Sequence, residues 1–168
     1  MSEPGTTRAR AAAYVGLGAN LDSPESQVRR AFDELAQLPQ SSLLARSSLW
    51  RSAPVGYANQ PDFINAVAKI ETGLSPDDLL GELQRIESAH ARDRSFPNAP
   101  RTLDLDLLLF EDTVRATPAL TLPHPRMHER AFVLLPLLEI APTALIPGRG
   151  TAAACLAALN AQVCERID

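Results

Sequence analysis

The chain has 168 residues, 45% hydrophobic and 21% charged, with a formal net charge of −4. That length fits one domain able to bury its own core, and no apolar run approaches the roughly 18 residues of a membrane span. The acidic balance argues against a surface that grips nucleic acid by its phosphates.

Residues 1–11 read as a disordered arm without a secretory signal pattern, ahead of a single domain over 12–168. Residues 12–18 form an apolar run ending in Gly16-Leu17-Gly18, a first strand. Ser23-Pro24-Glu25 supplies an N-cap, a proline in the first turn and an early acid. Val28, Phe32, Leu35 and Leu38 follow at helical spacing until Pro39. Residues 43–51 alternate as a second strand, with Trp50 in the core. Residues 63–72 are a third, with Ile64, Ala66, Ala68 and Ile70 on one face and Phe63, Asn65, Val67 and Lys69 on the other.

The helix signal recurs at Ser75-Pro76-Asp77-Asp78, followed by Leu79, Leu83 and Ile86. Residues 92–102 hold two prolines and three arginines and read as a loop. Residues 103–110 make a fourth strand. Residues 118–125 read as irregular, residues 128–138 as a helix ended or kinked by Pro136, and residues 151–160 as a terminal helix. The order β-α-β-β-α-β predicts an α+β, ferredoxin-like antiparallel sheet with packed helices and C-terminal additions.

Asp104-Leu105-Asp106 lies inside the apolar fourth strand. Alternation puts both carboxylates on one face, about 6.6 Å apart. Unpaired burial of two acids is costly, so a cation should meet them. Two cations suit: an arginine among Arg92, Arg94 and Arg101, or a Mg²⁺ pair, which prefers hard oxygen ligands. Of 16 basic residues only Lys69 is a lysine, so any phosphate chemistry runs on guanidinium forks. Neither the P-loop nor the dinucleotide-binding glycine fingerprint occurs. Cys155 and Cys164 lack zinc-ligand spacing and fit a reducing cytoplasm.

Pro100-Arg101-Thr102-Leu103-Asp104-Leu105-Asp106-Leu107-Leu108 closely resembles the signature of the 6-hydroxymethyl-7,8-dihydropterin pyrophosphokinase family. Gly16-Leu17-Gly18-Ala19-Asn20-Leu21 is similar to that family's opening segment. Ser48 to Pro54 with Gln60-Pro61-Asp62-Phe63-Ile64-Asn65 resembles its pterin-side loop and strand. Gln84-Arg85-Ile86-Glu87, Pro123-His124-Pro125-Arg126-Met127 and Arg130-Ala131-Phe132-Val133-Leu134 match in order.

The resemblance implies transfer of diphosphate from ATP to the pterin's hydroxymethyl oxygen, with release of AMP, in folate biosynthesis. It implies that Asp104 and Asp106 hold two Mg²⁺, that Arg92 and Arg101 act at the transferred phosphates, and that Gln84, Glu87, Arg94, His124 and Arg130 lie about the nucleotide. By the same resemblance the pterin stacks between Phe63 and Phe132, with Asn65, Gly18 and the chain near Ser52, Pro54 and Val55 about its polar edge. The implied protein is a cytoplasmic monomer whose partners are ATP and the pterin alcohol, with no nucleic acid and no membrane. Two positions depart from the family pattern. Pro97 and Ala119 stand where basic residues are usual or frequent, which bears on ATP binding.

Two other readings share the element order. A single-strand RNA-binding module would need an aromatic strand motif and a basic sheet face, and neither is present. A catalytically degraded, pterin-binding family member is countered by the retained Asp104, Asp106, Arg101 and His124.

Overall fold

The computed structural model of the chain describes residues 9–21, 23–53, 61–91, 103–160 and 162–168. In chain order they form β1 (Ala11–Ala19), α1 (Pro24–Ala36), β2 (Ser41–Arg46), β3 (Trp50–Ser52), β4 (Phe63–Thr72), α2 (Pro76–Ala91) and β5 (Asp104–Phe110). A hairpin of β6 (Arg115–Ala116) and β7 (Thr121–Leu122) follows, then a 3-10 turn (Met127–Glu129) and α3 (Ala131–Ile140). The chain closes with β8 (Leu145–Ile146), β9 (Gly150–Thr151), α4 (Ala152–Ala157) and β10 (Cys164–Arg166).

β1 lies between β4 and β5; β2 and β3 both pair with the far side of β4, and β10 pairs with β3. Every one of these pairings is antiparallel. This is the split β-α-β order expected from the sequence, with one added edge strand. The period-two pattern of β4 divides two cores. Ile64, Ala66, Ala68 and Ile70 pack with Val28, Phe32 and Leu35 of α1 and Leu79, Leu83 and Ile86 of α2. Val67, on the other face, packs with Leu108 and with Met127, Leu134 and Leu137 from the segment around α3.

Several expectations are corrected. The N-terminal arm ends sooner, because Ala11 already pairs with Thr72 and the Arg10 guanidinium donates to the Gln40 carbonyl at 2.5 Å; residues 1–8 lie outside the described residues. The second strand is two strands, since register slips by one residue between the Arg46–Ala68 and Trp50–Asn65 pairs. Ser47 sits in that bulge, its hydroxyl accepting the Val67 N–H at 2.9 Å, and the slip turns Trp50 and Ser52 toward α3. Ser23 precedes α1 in a left-handed conformation without a side-chain cap, whereas the Ser75 hydroxyl does cap α2 by accepting the Asp78 N–H.

Pro136 neither ends nor visibly shortens α3, which runs on to Ile140. Burial of Val133, Leu134, Pro136 and Leu137 outweighs the one missing backbone donor. The irregular 118–125 stretch contains β7, and the terminal helix stops at Ala157, after which the chain returns as β10.

Trp50 is half-buried, not core, and its indole N–H donates to Glu139 at 3.1 Å. The same carboxylate accepts the Ser48 hydroxyl at 2.6 Å and the Ser48 N–H at 2.9 Å, tying α3 to β3. Burial alone would raise the Glu139 pKa, but the Ser48 and Trp50 hydrogen bonds and the nearby Arg166 outweigh it and hold the group below its ordinary value. A lowered folded-state pKa stabilises the fold above the unfolded value, and that contribution disappears as pH falls through the folded one. Glu139→Gln is therefore expected to melt below wild type at pH 7. The gap should close on acidification below the usual carboxylate range. A gap that stays constant across a pH series of melting curves would contradict this role.

Candidate active site

Pairing register sets the floor of the site. One row across the sheet runs Trp50, Asn65, Gly18, Asp104; the next holds Val67, Gly16 and Asp106. Directly opposed residues in antiparallel strands share a face, so both acids, Asn65 and Phe63 point to the side covered by α3. At a strand spacing of about 4.8 Å, Asn65 and Asp104 stand about 10 Å apart with only Gly18 between them. Glycine keeps that gap open: a Cβ at Gly18 would lie 3.4 Å from the Asn65 Oδ1, and one at Gly16 would lie 3.4 Å from Leu108.

Above this floor is a cavity of about 590 Å³ whose walls include Ser52, Phe63, Asn65, Asp104, Asp106 and Phe132. Asn65 is 4% exposed, and its amide donates to the Ser52 hydroxyl at 2.8 Å. Phe132 enters from the first turn of α3, with the Arg130 guanidinium 5.5 Å from its ring centroid, a cation–π distance. Arg126 and Glu129 also reach the cavity. Neither has a role from the sequence, although Arg126 lies in the matched segment with His124.

A smaller cleft, about 270 Å³, lies beside the first. Leu80, Leu105, Leu107 and Leu120 give it an apolar wall, and His124 and Thr121 give it polar groups. Ala119 is in its lining, so the missing cation noted in the sequence is missing here. Asp106 borders both cavities.

His124 is held by backbone. The register slip between the Tyr14–Leu109 and Val15–Leu107 pairs makes Leu108 a bulged residue, and its carbonyl accepts the His124 N–H at 2.9 Å. The ring Nδ1 accepts the Arg126 N–H at 3.1 Å, which assigns the proton of the neutral ring to Nε2. Burial lowers the His124 pKa most; Asp106 opposes it, while Arg130 and Arg126 act with it. At neutral pH the group is an uncharged Nε2–H donor at the cleft.

The remaining expected residues divide. Gln84 is exposed on α2, and Glu87 accepts the Leu105 N–H at 2.7 Å, bracing β5 beside the acids. Arg130, expected near the nucleotide, lines the large cavity together with Asp104 and Asp106. Pro54, Val55, Arg92, Arg94, Pro97 and Arg101 lie outside the described residues. The point where the chain enters 92–102 is fixed from behind, since buried His90 bonds Gln27 and, at 2.6 Å, Glu34 of α1.

The acids are less buried than their apolar strand suggested. Asp104 is exposed and Asp106 half-buried, so burial does not force a cation upon them. The donor set nevertheless suits Mg²⁺. Two same-face carboxylates open onto a cavity, and no group of three acids, histidines or cysteines forms a complete cage among the described residues. Mg²⁺ is commonly held by one or two carboxylates, with substrate phosphates and water completing its shell. Among the described residues, no helix is long and apolar enough to cross a membrane.

The model of the 7,8-dihydro-6-hydroxymethylpterin-pyrophosphokinase family matches residues 14–142. A 2-amino-4-hydroxy-6-hydroxymethyldihydropteridine pyrophosphokinase of Haemophilus influenzae is 47% identical over 135 residues, 80% of this chain and 84% of that one. A protein of the same name from Pseudomonas aeruginosa is 44% identical over 154 residues, covering 92% and 95%. Among solved structures, a Plasmodium falciparum HPPK-DHPS with pteroate superposes at a TM-score of 0.71 with 14% identity, over 94% of this chain. The chain spans 43% of that longer protein, and at such identity the likeness concerns the fold. With the matched segment holding both acids, Asn65, His124 and Phe132, the chain belongs to the 7,8-dihydro-6-hydroxymethylpterin-pyrophosphokinase family.

Proposed function

We propose that the chain transfers diphosphate from ATP to the hydroxymethyl oxygen of 6-hydroxymethyl-7,8-dihydropterin, releasing AMP, in folate biosynthesis. The observation that carries the site assignment is Asp106 at the border of two unlike cavities. The larger offers aromatic faces and a buried amide, which suit a flat heterocycle with a hydrogen-bonding edge. The smaller offers an apolar wall and the His124 donor, which suit a nucleoside and its phosphates.

In this reading Phe63 and Phe132 hold the pterin ring, and Asn65, fixed by Ser52, reads its polar edge. That orientation turns the hydroxymethyl group toward the acids, converting an encounter into a positioned attack on the β-phosphorus. His124 donates from Nε2 to a phosphate oxygen, and its neutral state lets it do so without repelling the guanidinium groups. Arg92 and Arg101, with Arg94, add charge at the phosphates. Asp104 and Asp106 would hold Mg²⁺, which would supply positive charge to offset the charge on the phosphates. The cytoplasmic location and monomeric state expected from the sequence belong to the same proposal.

The test is AMP formation from ATP. AMP should appear only when both Mg²⁺ and the pterin alcohol are supplied, in step with pterin diphosphate. A chain that binds the pterin but makes no AMP would be a degraded member of the family, and the catalytic reading would fail.

A further inference from the structure

Arg130 is the N-cap residue of α3, in extended backbone (φ −121°, ψ 107°), and its side chain makes no capping hydrogen bond. The backbone groups on either side of it are satisfied from elsewhere. The Gln162 Oε1 accepts the Ala131 N–H at 2.9 Å, and its Nε2 donates to the Glu129 carbonyl at 3.0 Å. One primary amide thus brackets Arg130 as a neighbouring strand would, using both of its functions. Ala131 N–H is one of the first donors of α3, which have no partner within the helix.

The bracket bears on the cavity. Holding the peptide groups either side of Arg130 fixes the direction of its side chain, whose guanidinium lies over the Phe132 ring. It also fixes where α3 begins, and so where Phe132 stands. Gln162 itself reaches the cavity lining. It is anchored in turn, because β10 begins two residues later and pairs Cys164 with Ser52, which also lines the cavity. The Ile167 N–H donates to the Leu49 carbonyl at 2.9 Å and Asp168 pairs with Arg29 at 2.8 Å, so the segment is fastened beyond β10 as well.

We infer that Gln162 is a positioning residue for substrate: its side-chain amide clasps the backbone on both sides of Arg130 and so sets the Arg130–Phe132 wall against which the heterocycle stacks. The inference rests on the larger cavity being the pterin site. It predicts an effect on one ligand only, since no residue of the clasp lines the smaller cleft. The chemistry of the clasp is demanding: it needs an acceptor and a donor on one planar group, which glutamate supplies by half and methionine not at all.

The experiment compares Gln162→Met and Gln162→Glu with wild type by pterin affinity, ATP–Mg²⁺ affinity, melting temperature and hydrogen exchange at the Ala131 amide. Gln162→Met should weaken pterin binding roughly tenfold, about 1.4 kcal/mol. It should leave ATP–Mg²⁺ affinity within about twofold and speed exchange at Ala131. Gln162→Glu, which keeps the acceptor for Ala131 and loses the donor for Glu129, should lie between. Unchanged pterin affinity in Gln162→Met overturns the clasp, as does proportionate loss of both ligands. If Gln162→Met does not fold, Gln162→Glu decides by the same criterion. A wild-type chain that binds no pterin overturns the assignment of the cavity, a result separate from wild-type binding with indifferent variants.

Discussion

Replacing Asp106 with asparagine is expected to lower turnover by roughly a thousandfold or more while leaving the unliganded fold intact. The substitution keeps shape and removes charge at the residue shared by both cavities. A neutral amide is a poor ligand for Mg²⁺, and the charge stabilisation lost at transferring phosphate is worth several kcal/mol. At about 1.36 kcal/mol per factor of ten, three factors follow. Stability should hardly change, because the side chain is only half-buried and no ion pair between it and a described cation is present.

Asp104→Asn should act in the same direction, though Asp104 keeps polar partners of its own. The measurement is steady-state turnover at saturating ATP, pterin and Mg²⁺, beside metal-free melting curves. An Asp106→Asn variant with a tenth or more of wild-type turnover would remove the acid from the reaction. A large drop in metal-free melting temperature would instead mark the acids as structural partners of arginine, the other cation the sequence allowed.

The second large effect concerns the pterin wall. Asn65→Ala should weaken pterin binding by roughly 5- to 150-fold, the equivalent of about 1–3 kcal/mol for leaving a polar edge without its partner. The same change removes the buried bond to Ser52 and should cost about 1 kcal/mol of stability, a fall in Tm of about 2–4 °C at this chain length. Phe132→Ala should weaken pterin through a lost stacking face, about 0.5–1.5 kcal/mol beyond the area it buries. Neither residue lines the smaller cleft, so ATP–Mg²⁺ affinity should stay near wild type in both. Titration calorimetry with each ligand separates the cases. Equal loss of both ligands in either variant would mean that the two cavities are not the independent subsites described here.

Much of this was legible in the chain itself. β4 spans ten residues, and its period-two pattern, with Ile64, Ala66, Ala68 and Ile70 on one face, marks it as a strand without reference to its partners. α1 and α2 declare themselves by spacing because their buried residues recur every three or four positions, and such local patterns survive without knowledge of what they pack against. The spacing of Asp104 and Asp106 within a strand settled that they share a face.

Other features depended on tertiary structure alone. The bulge at Ser47 that turns Ser52 toward the cavity, and the bulge at Leu108 that holds His124, arise from pairing with β4 and β1, and a one-residue slip leaves no mark in the pattern of one strand. Burial of Asp104 was misjudged because it depends on where β5 begins and what opens above it, not on the apolarity of its neighbours. β10 is three residues long, too short to show any period. The Gln162 clasp joins positions 31 and 33 residues apart in the chain. Local sequence determines which residues can be helix, strand or ligand; only the closed sheet decides which distant backbone groups a side chain will meet, since that is set by register and packing across elements.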